Sequence, residues 1–339
     1  MKRRFIVTLP AYLGLASVLH AAPGDVDLTF DAGSRVNGTV YSVATQADGK
    51  VIIGGSFTTV RGAARNRIAR LNADGTVDDT FHPGKGAGAP GSGNPDVHSV
   101  AVQSDGKVLV GGYFTVINGT SRNGVARLNA DGSLDEMFNP STGPDDLVNA
   151  VAVQPDGKVL VGGILFTING TSRYYMTRLN TDGSLDSTFN PGTKAVSGVG
   201  GVSGVAMQPD GKMLVAGYFT TIDGTSGNRI GRLNADGSLD IAFNPRSGAD
   251  DAVLSVAVQP DGKVLAGGLF TTINGTNRNS IARLNADGSL DGTFDPAIEA
   301  KRFSGVHAVA LQTGGNWMAA NCRWKSRAGG GVASTGFVN

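Results

Sequence analysis

An all-β chain folded as a β-propeller of four-stranded antiparallel blades is what this sequence predicts, and three observations carry the prediction. One phrase recurs five times: an apolar run, Gln-x-Asp-Gly-Lys, a second apolar run ending in glycine, then Arg-Leu-Asn-x-Asp-Gly-x-x-Asp. Its two corners keep step. Asp48, Asp105, Asp156, Asp210 and Asp261 open the first, Asp74, Asp131, Asp182, Asp236 and Asp287 the second, and both advance by 57, 51, 54 and 51 residues. Finally, 51 glycines without a three-residue period, beside 40% apolar residues, suit many short strands and tight turns. A period near fifty marks one supersecondary unit copied in tandem, each copy burying its apolar faces against its neighbours. A solenoid is the competing architecture, but hairpin corners inside each copy favour blades.

Residues 97–139 are the clearest copy. Val97 to Gln103 has the β-branched content of a strand, and Ser104-Asp105-Gly106-Lys107 supplies a turn whose glycine accepts positive φ. Lys107 to Gly112 is a second, antiparallel strand. After a loop through Phe114 and Thr120, a third runs from about Gly124 to Asn129, and the Asp131-Gly132 turn leads into a fourth, Ser133 to Phe138. Four strands with three reversals make one propeller blade.

The ends predict the blade count. Val26 to Asp31 matches the fourth strand of a copy, as in Leu185 to Asn190, without the three strands that should precede it. Val306 to Gln312, Asn316 to Ala320 and Val332 onward read as three strands without a fourth. Together they predict a sixth blade shared between the termini, with residues 22–339 as a single domain and closure removing exposed sheet edges. Phe30, Phe81, Phe138, Phe189, Phe243 and Phe294 then give each blade one fourth-strand phenylalanine.

Residues 1–21 read as an export signal: Lys2, Arg3 and Arg4 precede an apolar stretch from Phe5 to Leu19, and Ala21 and Ala22 follow. The expected location is secreted, periplasmic or cell-surface, with no membrane span in the mature chain. Cys322 is the single cysteine, which excludes an internal disulfide. With 29 Lys and Arg against 28 Asp and Glu, no field is indicated that would collect nucleic acid.

With Gln154-Pro155-Asp156-Gly157-Lys158 and Arg127-Leu128-Asn129-Ala130-Asp131-Gly132 in view, the chain resembles the delta-60 repeat family of β-propellers across residues 24 to 320. The resemblance implies an exported bacterial protein of large surface or secreted architectures, with no catalytic residues to carry over. The last copy departs from the pattern, with Gly314-Gly315-Asn316 at the first corner and Ser334 about where the arginine belongs.

Candidate sites divide into repeated and variable positions. Asn129, Asp131 and Asp135 have the spacing of the calcium loops of integrin-type blades, yet every copy places an arginine where the first acidic ligand belongs: Arg70, Arg127, Arg178, Arg232 and Arg283. A fixed cation repels Ca²⁺ and its guanidinium can bridge the carboxylates, so Arg70 with Asp74, Arg127 with Asp131, Arg178 with Asp182, Arg232 with Asp236 and Arg283 with Asp287 read as structural, with no metal and no cofactor expected. Asn-Gly-Thr at Asn37, Asn118, Asn169 and Asn274 reads as a turn rather than a glycosylation site.

The position after the initial valine of each first strand varies: Tyr41, His98, Asn149, Ser203, Leu254 and His307. In a six-bladed ring Tyr41, His98 and His307 fall side by side at one channel mouth as candidate ligand-binding residues, two imidazoles and a phenol able to bind a metal or shuttle protons, although no carboxylate at metal spacing accompanies them. Inter-blade packing is the other reading of these three. Arg61, Arg65 and Arg67 in the first copy and Tyr174 and Tyr175 in the third are further departures on variable loops, where interface anchors concentrate.

No nucleophile elbow, zinc helix, Cys-x-x-Cys pair or nucleotide fingerprint occurs. The expectation is a monomeric, non-catalytic scaffold that binds a protein or glycan at the cell surface through its inter-blade loops. A propeller enzyme, a lyase or glycoside hydrolase working at the channel mouth, is the alternative, with Asp145-Asp146 and Asp250-Asp251 as loop carboxylates; a structural module of a larger surface protein is the third.

Overall fold

The structure is a computed structural model that describes residues 36–89, 93–191, 201–296, 305–311, 317–325 and 332–338. Among the described residues six three-stranded antiparallel sheets of longer strands follow one another along the chain, each with its strands in sequence order, and a seventh, small one joins Ala87–Gly88, Val116–Ile117 and Thr120–Ser121. The first comprises Val40–Thr45, Val51–Gly55 and Ile68–Leu71, and the second Asp96–Val102, Val108–Tyr113 and Val125–Leu128. The third comprises Val148–Val153, Val159–Gly163 and Met176–Leu179, and the fourth Val202–Met207, Met213–Gly217 and Ile230–Leu233. Val253–Val258, Val264–Gly268 and Ile281–Leu284 make the fifth, and Ala308–Leu311, Trp317–Lys325 and Val332–Val338 the sixth. They follow the predicted repeat with three laddered strands in place of four, and in the sixth sheet the second strand runs on to Lys325, past the expected end at Ala320.

The middle strands read as continuous apolar runs because they are buried on both faces, Val159–Gly163 along its whole length. Successive sheets pack face to face: Ile52, Ile68 and Phe81 of the first copy share one cluster with Val97, Val108 and Phe114 of the second. Paired glycines at or near the end of the middle strand in the first, second, third and fifth sheets set the fit, with Ala216-Gly217 in their place in the fourth. A Cβ on Gly111 would lie 2.7 Å from Cγ1 of Val148, the leading valine of the next sheet, so the glycine makes the socket for that valine. A Cβ on Gly112 would lie 2.1 Å from the Asp96 carbonyl oxygen, so that glycine lets the sheet's own first strand approach.

The fourth segment of each copy is shorter than the sequence predicts. It pairs at one position only, as Leu128 with Leu134 and Leu179 with Leu185. An aspartate bends the chain there: Asp186 Oδ1 accepts from Thr188 N at 2.9 Å and Thr188 Oγ1 at 2.6 Å, and Phe189 N returns to Asp186 O at 3.4 Å. The turn drops the phenylalanine into the core; Phe81, Phe138 and Phe189 are fully buried. The loop after the second strand also contains a two-stranded ribbon, such as Thr167–Ile168 with Thr171–Ser172, which the sequence reading leaves as loop. Phe30, the strand from Val26 to Asp31 and the signal segment lie outside the described residues.

Four of the repeated arginines, Arg70, Arg127, Arg178 and Arg232, hold neighbouring sheets together by bonding a carbonyl in the next sheet's turn. Arg127 Nε donates to Asp135 Oδ2 at 2.7 Å, its Nη1 donates to the Thr181 carbonyl of the next sheet's turn at 2.9 Å, and its guanidinium lies 4.7 Å from the Phe138 ring centroid. Asn139 N adds a bond to Asp182 O on that same turn, at 2.8 Å. The carboxylate partner is thus the second aspartate of the phrase, Asp78, Asp135, Asp186, Asp240 or Asp291. The turn aspartate paired with each arginine in the sequence reading does something else: Asp74, Asp131, Asp182, Asp236 and Asp287 each accept from the residue two positions on, as Asp131 Oδ1 does from Ser133 N at 2.9 Å. A two-residue reach suits an Asx turn, whereas the arginine lies across the hairpin from the later carboxylate. The lysine of the first corner completes the set, with Lys107 Nζ on Asp135 Oδ2 at 2.9 Å and the equivalent bond in all five copies.

Candidate functional site

In the first five sheets the variable position of the first strand is a β-bulge, whereas the first strand of the sixth pairs without a register shift. Register shifts fall between Val40 and Ser42, Val97 and Ser99, Val148 and Ala150, Val202 and Gly204, and Val253 and Ser255. Tyr41, His98, Asn149, Ser203 and Leu254 are therefore the extra residues, outside the ladder pairing. The residues that follow carry the contacts between first strands: Val100 N donates to Ser42 Oγ at 3.0 Å and Val151 N to Ser99 Oγ at 3.1 Å. Between the third and fourth sheets, where Ala150 has no hydroxyl, Asn149 Nδ2 donates to Val202 O at 3.1 Å.

The bulges bring together two of the three residues that the sequence groups. Tyr41 and His98, from adjacent sheets, stack with centroids 4.9 Å apart and planes 19° from parallel. Tyr41 is 47% exposed and His98 half-buried. Burial pushes the imidazole pKa below its usual value, opposed by the negative charge of Asp96. His307 is exposed just before the first strand of the sixth sheet, with its pKa lowered by desolvation; no ring contact joins it to Tyr41 or His98. Tyr113 was missed: it pairs with Asp96 across the second sheet, at the bulge end, and is 50% exposed. Its counterparts in the other copies are Ser56, Ile164, Tyr218 and Leu269, a second variable position that comparing middle-strand ends would have revealed.

The remaining candidates lie elsewhere. Arg67 is committed to the connection into the second sheet, with Nε on Pro95 O at 3.0 Å and Nη1 on Ala87 O at 3.4 Å. Arg65 pairs with Asp79 at 2.9 Å, and Arg61 occupies the left-handed region, φ 52°, in the first ribbon turn. Tyr174 and Tyr175 meet Phe166, which replaces the threonine of other copies, at centroid distances of 6.4 and 5.3 Å. Phe166 and Tyr174 are 43% and 38% exposed, a separate aromatic patch on the third copy. Asp145 and Asp250 are turn carboxylates: Asp145 Oδ1 accepts from Phe166 N at 2.9 Å and Asp250 Oδ1 from Thr271 N at 2.8 Å. Burial would raise both carboxylates, but the bonds from Thr167 and Phe166 to Asp145, and from Thr271 and Thr272 to Asp250, lower them below their ordinary value.

The buried aspartates of the latches are fully engaged. Burial alone would raise the pKa of Asp78, but the bonds from Lys50, Thr80 and Arg70 outweigh it and hold the group far below its ordinary value. Among the described residues no cluster of three or more His, Cys, Asp or Glu is placed to hold a metal ion, and no helix is long and apolar enough to cross a membrane.

Repeated antiparallel sheets that pack face to face, with loops and bulges gathered at their ends, define a β-propeller. The chain belongs to the DUF5122 β-propeller family, a domain of unknown function, whose repeats match residues 46–81, 103–138, 154–189, 208–243 and 259–294. Solved structures similar in fold include virginiamycin B lyase from Staphylococcus aureus at 16% identity, covering 89% of this chain and 85% of that one with a TM-score of 0.52. A catalytically inactive histidine-to-alanine form of the same lyase with quinupristin matches at 18% identity and TM-score 0.54, covering 90% of this chain and 86% of that one. PorZ, a surface component of the type-IX secretion system of Porphyromonas gingivalis, matches at 12% identity and TM-score 0.52, over 82% of this chain and 37% of its own length. No curated protein sequence matches the chain.

Proposed function

We propose that the protein is an exported, non-catalytic binding propeller that holds a glycan at the bulge end of its sheets. The observation that carries this reading is the Tyr41–His98 stack, built from two bulges on a frame otherwise repeated from copy to copy. A bulge side chain can change without moving the ladder, so this position is free to set specificity. The exposed ring of Tyr41, with Tyr113 at the same end, offers flat apolar faces with polar tips, which suit the C–H face and hydroxyls of a sugar ring. Export rests on the N-terminal signal pattern of residues 1–21, and the repeats are taken to be of the delta-60 kind. In the same proposal the sixth sheet is closed by the strand from Val26 to Asp31, giving one monomeric six-bladed domain over residues 22–339 that needs no cofactor.

A second reading, a lyase or hydrolase acting at the same end, draws support from one observation: burial favours the neutral form of His98, the form in which imidazole accepts a proton, next to the Tyr41 phenol. A glycan array probed with the wild type, Tyr41→Ala and His98→Ala, with product analysis of every hit, tests both. Saturable binding without new products, weakened in both variants, supports the binder. Products that disappear in His98→Ala select the enzyme, and absence of any binding refutes the glycan reading.

A further inference from the structure

The glutamine of every Gln-x-Asp-Gly-Lys corner has a side chain that the corner does not use. The main chain closes each turn by itself: Gln154 N donates to Lys158 O at 2.8 Å, and Gly157 N donates to Gln154 O at 2.9 Å. The side-chain oxygens of Gln46, Gln103, Gln154, Gln208 and Gln259 are all buried without a hydrogen-bond partner. Gln154, Gln208 and Gln259 are only 6%, 7% and 8% exposed. A buried acceptor without a donor is costly, and native proteins keep few of them. Leucine would fill the same place without that cost. A donor brought by a ligand would therefore be stabilising where these glutamines face open space.

Three of these side chains meet at one cavity. Gln103, Gln154 and Gln208, with Val102, Val153 and Met207, line a space of about 430 Å³ where the first strands of the second, third and fourth sheets end. This is the end opposite the bulges, and no charged side chain lines the space. A neighbouring cavity of about 370 Å³ shares Val102 and Gln103 and adds Gln46 and the carboxylate of Asp48, so the uncharged lining belongs to the first space alone.

We propose that this end of the propeller is a second ligand site, which takes a neutral polyhydroxylated group, the end of a saccharide or a free polyol. A carboxamide both donates and accepts, as a hydroxyl does. Its last torsion is soft, so it can turn its oxygen toward a ligand at little cost. Apolar walls with a few convergent polar groups, at this volume, are the composition of small-molecule pockets, and the valines and methionine match the C–H face of a sugar ring. An uncharged lining gives a uronate or phosphate no counter-charge.

The test is calorimetric titration of the full chain with glucose, N-acetylglucosamine, maltose and glycerol, and with glucuronate as the charged comparator. The proteins are the wild type, Gln154→Leu/Gln208→Leu, Gln103→Met and Tyr41→Ala. The expected result is saturable binding of a neutral probe that weakens about ten-fold or more in the glutamine variants, the loss of one to two hydrogen bonds, and is unchanged in Tyr41→Ala. Glycerol binding as tightly as the sugars identifies a free polyol, and sugar-only binding identifies a saccharide. The glutamine variants should melt no lower than the wild type, which separates lost binding from lost folding. The proposal is overturned by absence of binding to every neutral probe, by equal binding in the glutamine variants, or by tighter binding of glucuronate. Loss in Tyr41→Ala alone assigns the ligand to the bulge end and overturns it equally.

Discussion

Replacing Asp135 by alanine isolates what the repeated latch contributes. The carboxylate sits between Arg127 and Lys107, with side-chain exposures of 4% for Asp135, 7% for Arg127 and 30% for Lys107. Without Asp135 the Arg127 guanidinium stays buried, keeping the Thr181 carbonyl and the Phe138 ring but no counter-charge. Removing one partner of a buried pair costs about 3–5 kcal/mol, because the other charge is left uncompensated. Lys107→Met removes a mostly solvated ammonium from a carboxylate that retains its arginine, and should cost about 1 kcal/mol or less. Both values come from urea unfolding, monitored by circular dichroism at neutral pH. The pH dependence gives a second check. The folded-state pKa of Asp135 is depressed, so its stabilisation is present above the unfolded value, about 4, and is lost progressively as pH falls below it toward the lower folded value. The gap between wild type and Asp135→Ala should therefore narrow on acidification below about pH 4. Equal costs for Asp135→Ala and Lys107→Met, or a gap that does not narrow, would falsify the latch.

Other expected outcomes follow from the same frame. Gly112→Ala places a Cβ 2.1 Å from a backbone oxygen of its own sheet, and should cost about 3 kcal/mol or more in the same assay. Gly111→Ala should cost clearly less, because the fourth sheet already holds Ala216 at the equivalent register; the reverse order refutes the assigned roles of the two glycines. Deleting residues 22–32 removes the strand proposed to close the sixth sheet and should lower the melting temperature sharply; an unchanged value sinks the closure.

The frame was legible because its determinants are local. Alternating β-branched runs, Asp-Gly corners and a constant step between corners are properties of neighbouring residues, and they placed the first three strands of Asp96–Val102, Val108–Tyr113 and Val125–Leu128 to within about a residue or two. The latch was half legible. An arginine eight residues before an aspartate is visible in sequence, but the nearer Asp131 stands at four, and only the hairpin register shows that Asp135 faces Arg127. Lys107 lies twenty-eight residues from Asp135, and the Thr181 carbonyl belongs to another copy, so neither can be paired by spacing. The fourth strand failed for a physical reason: apolar residues at Leu134 and Phe138 satisfy a strand pattern equally well when a carboxylate turn takes the chain out of the ladder.

The bulge explains why variation and repetition coexist in this chain. In a regular strand every side chain is tied to a face by the period of two, so a change at one position disturbs packing against the neighbouring sheet. An inserted residue escapes that constraint. Val97 and Ser99 keep their pairing with Gly112 and Gly111, and Ser99 keeps its bond to Val151 of the next sheet, whatever side chain His98 carries. The same geometry accepts tyrosine, asparagine, serine and leucine in the other copies. A propeller made this way can retune one end of its sheets by single substitutions while the valine-to-glycine sockets and the arginine latches, which hold one sheet to the next, remain untouched.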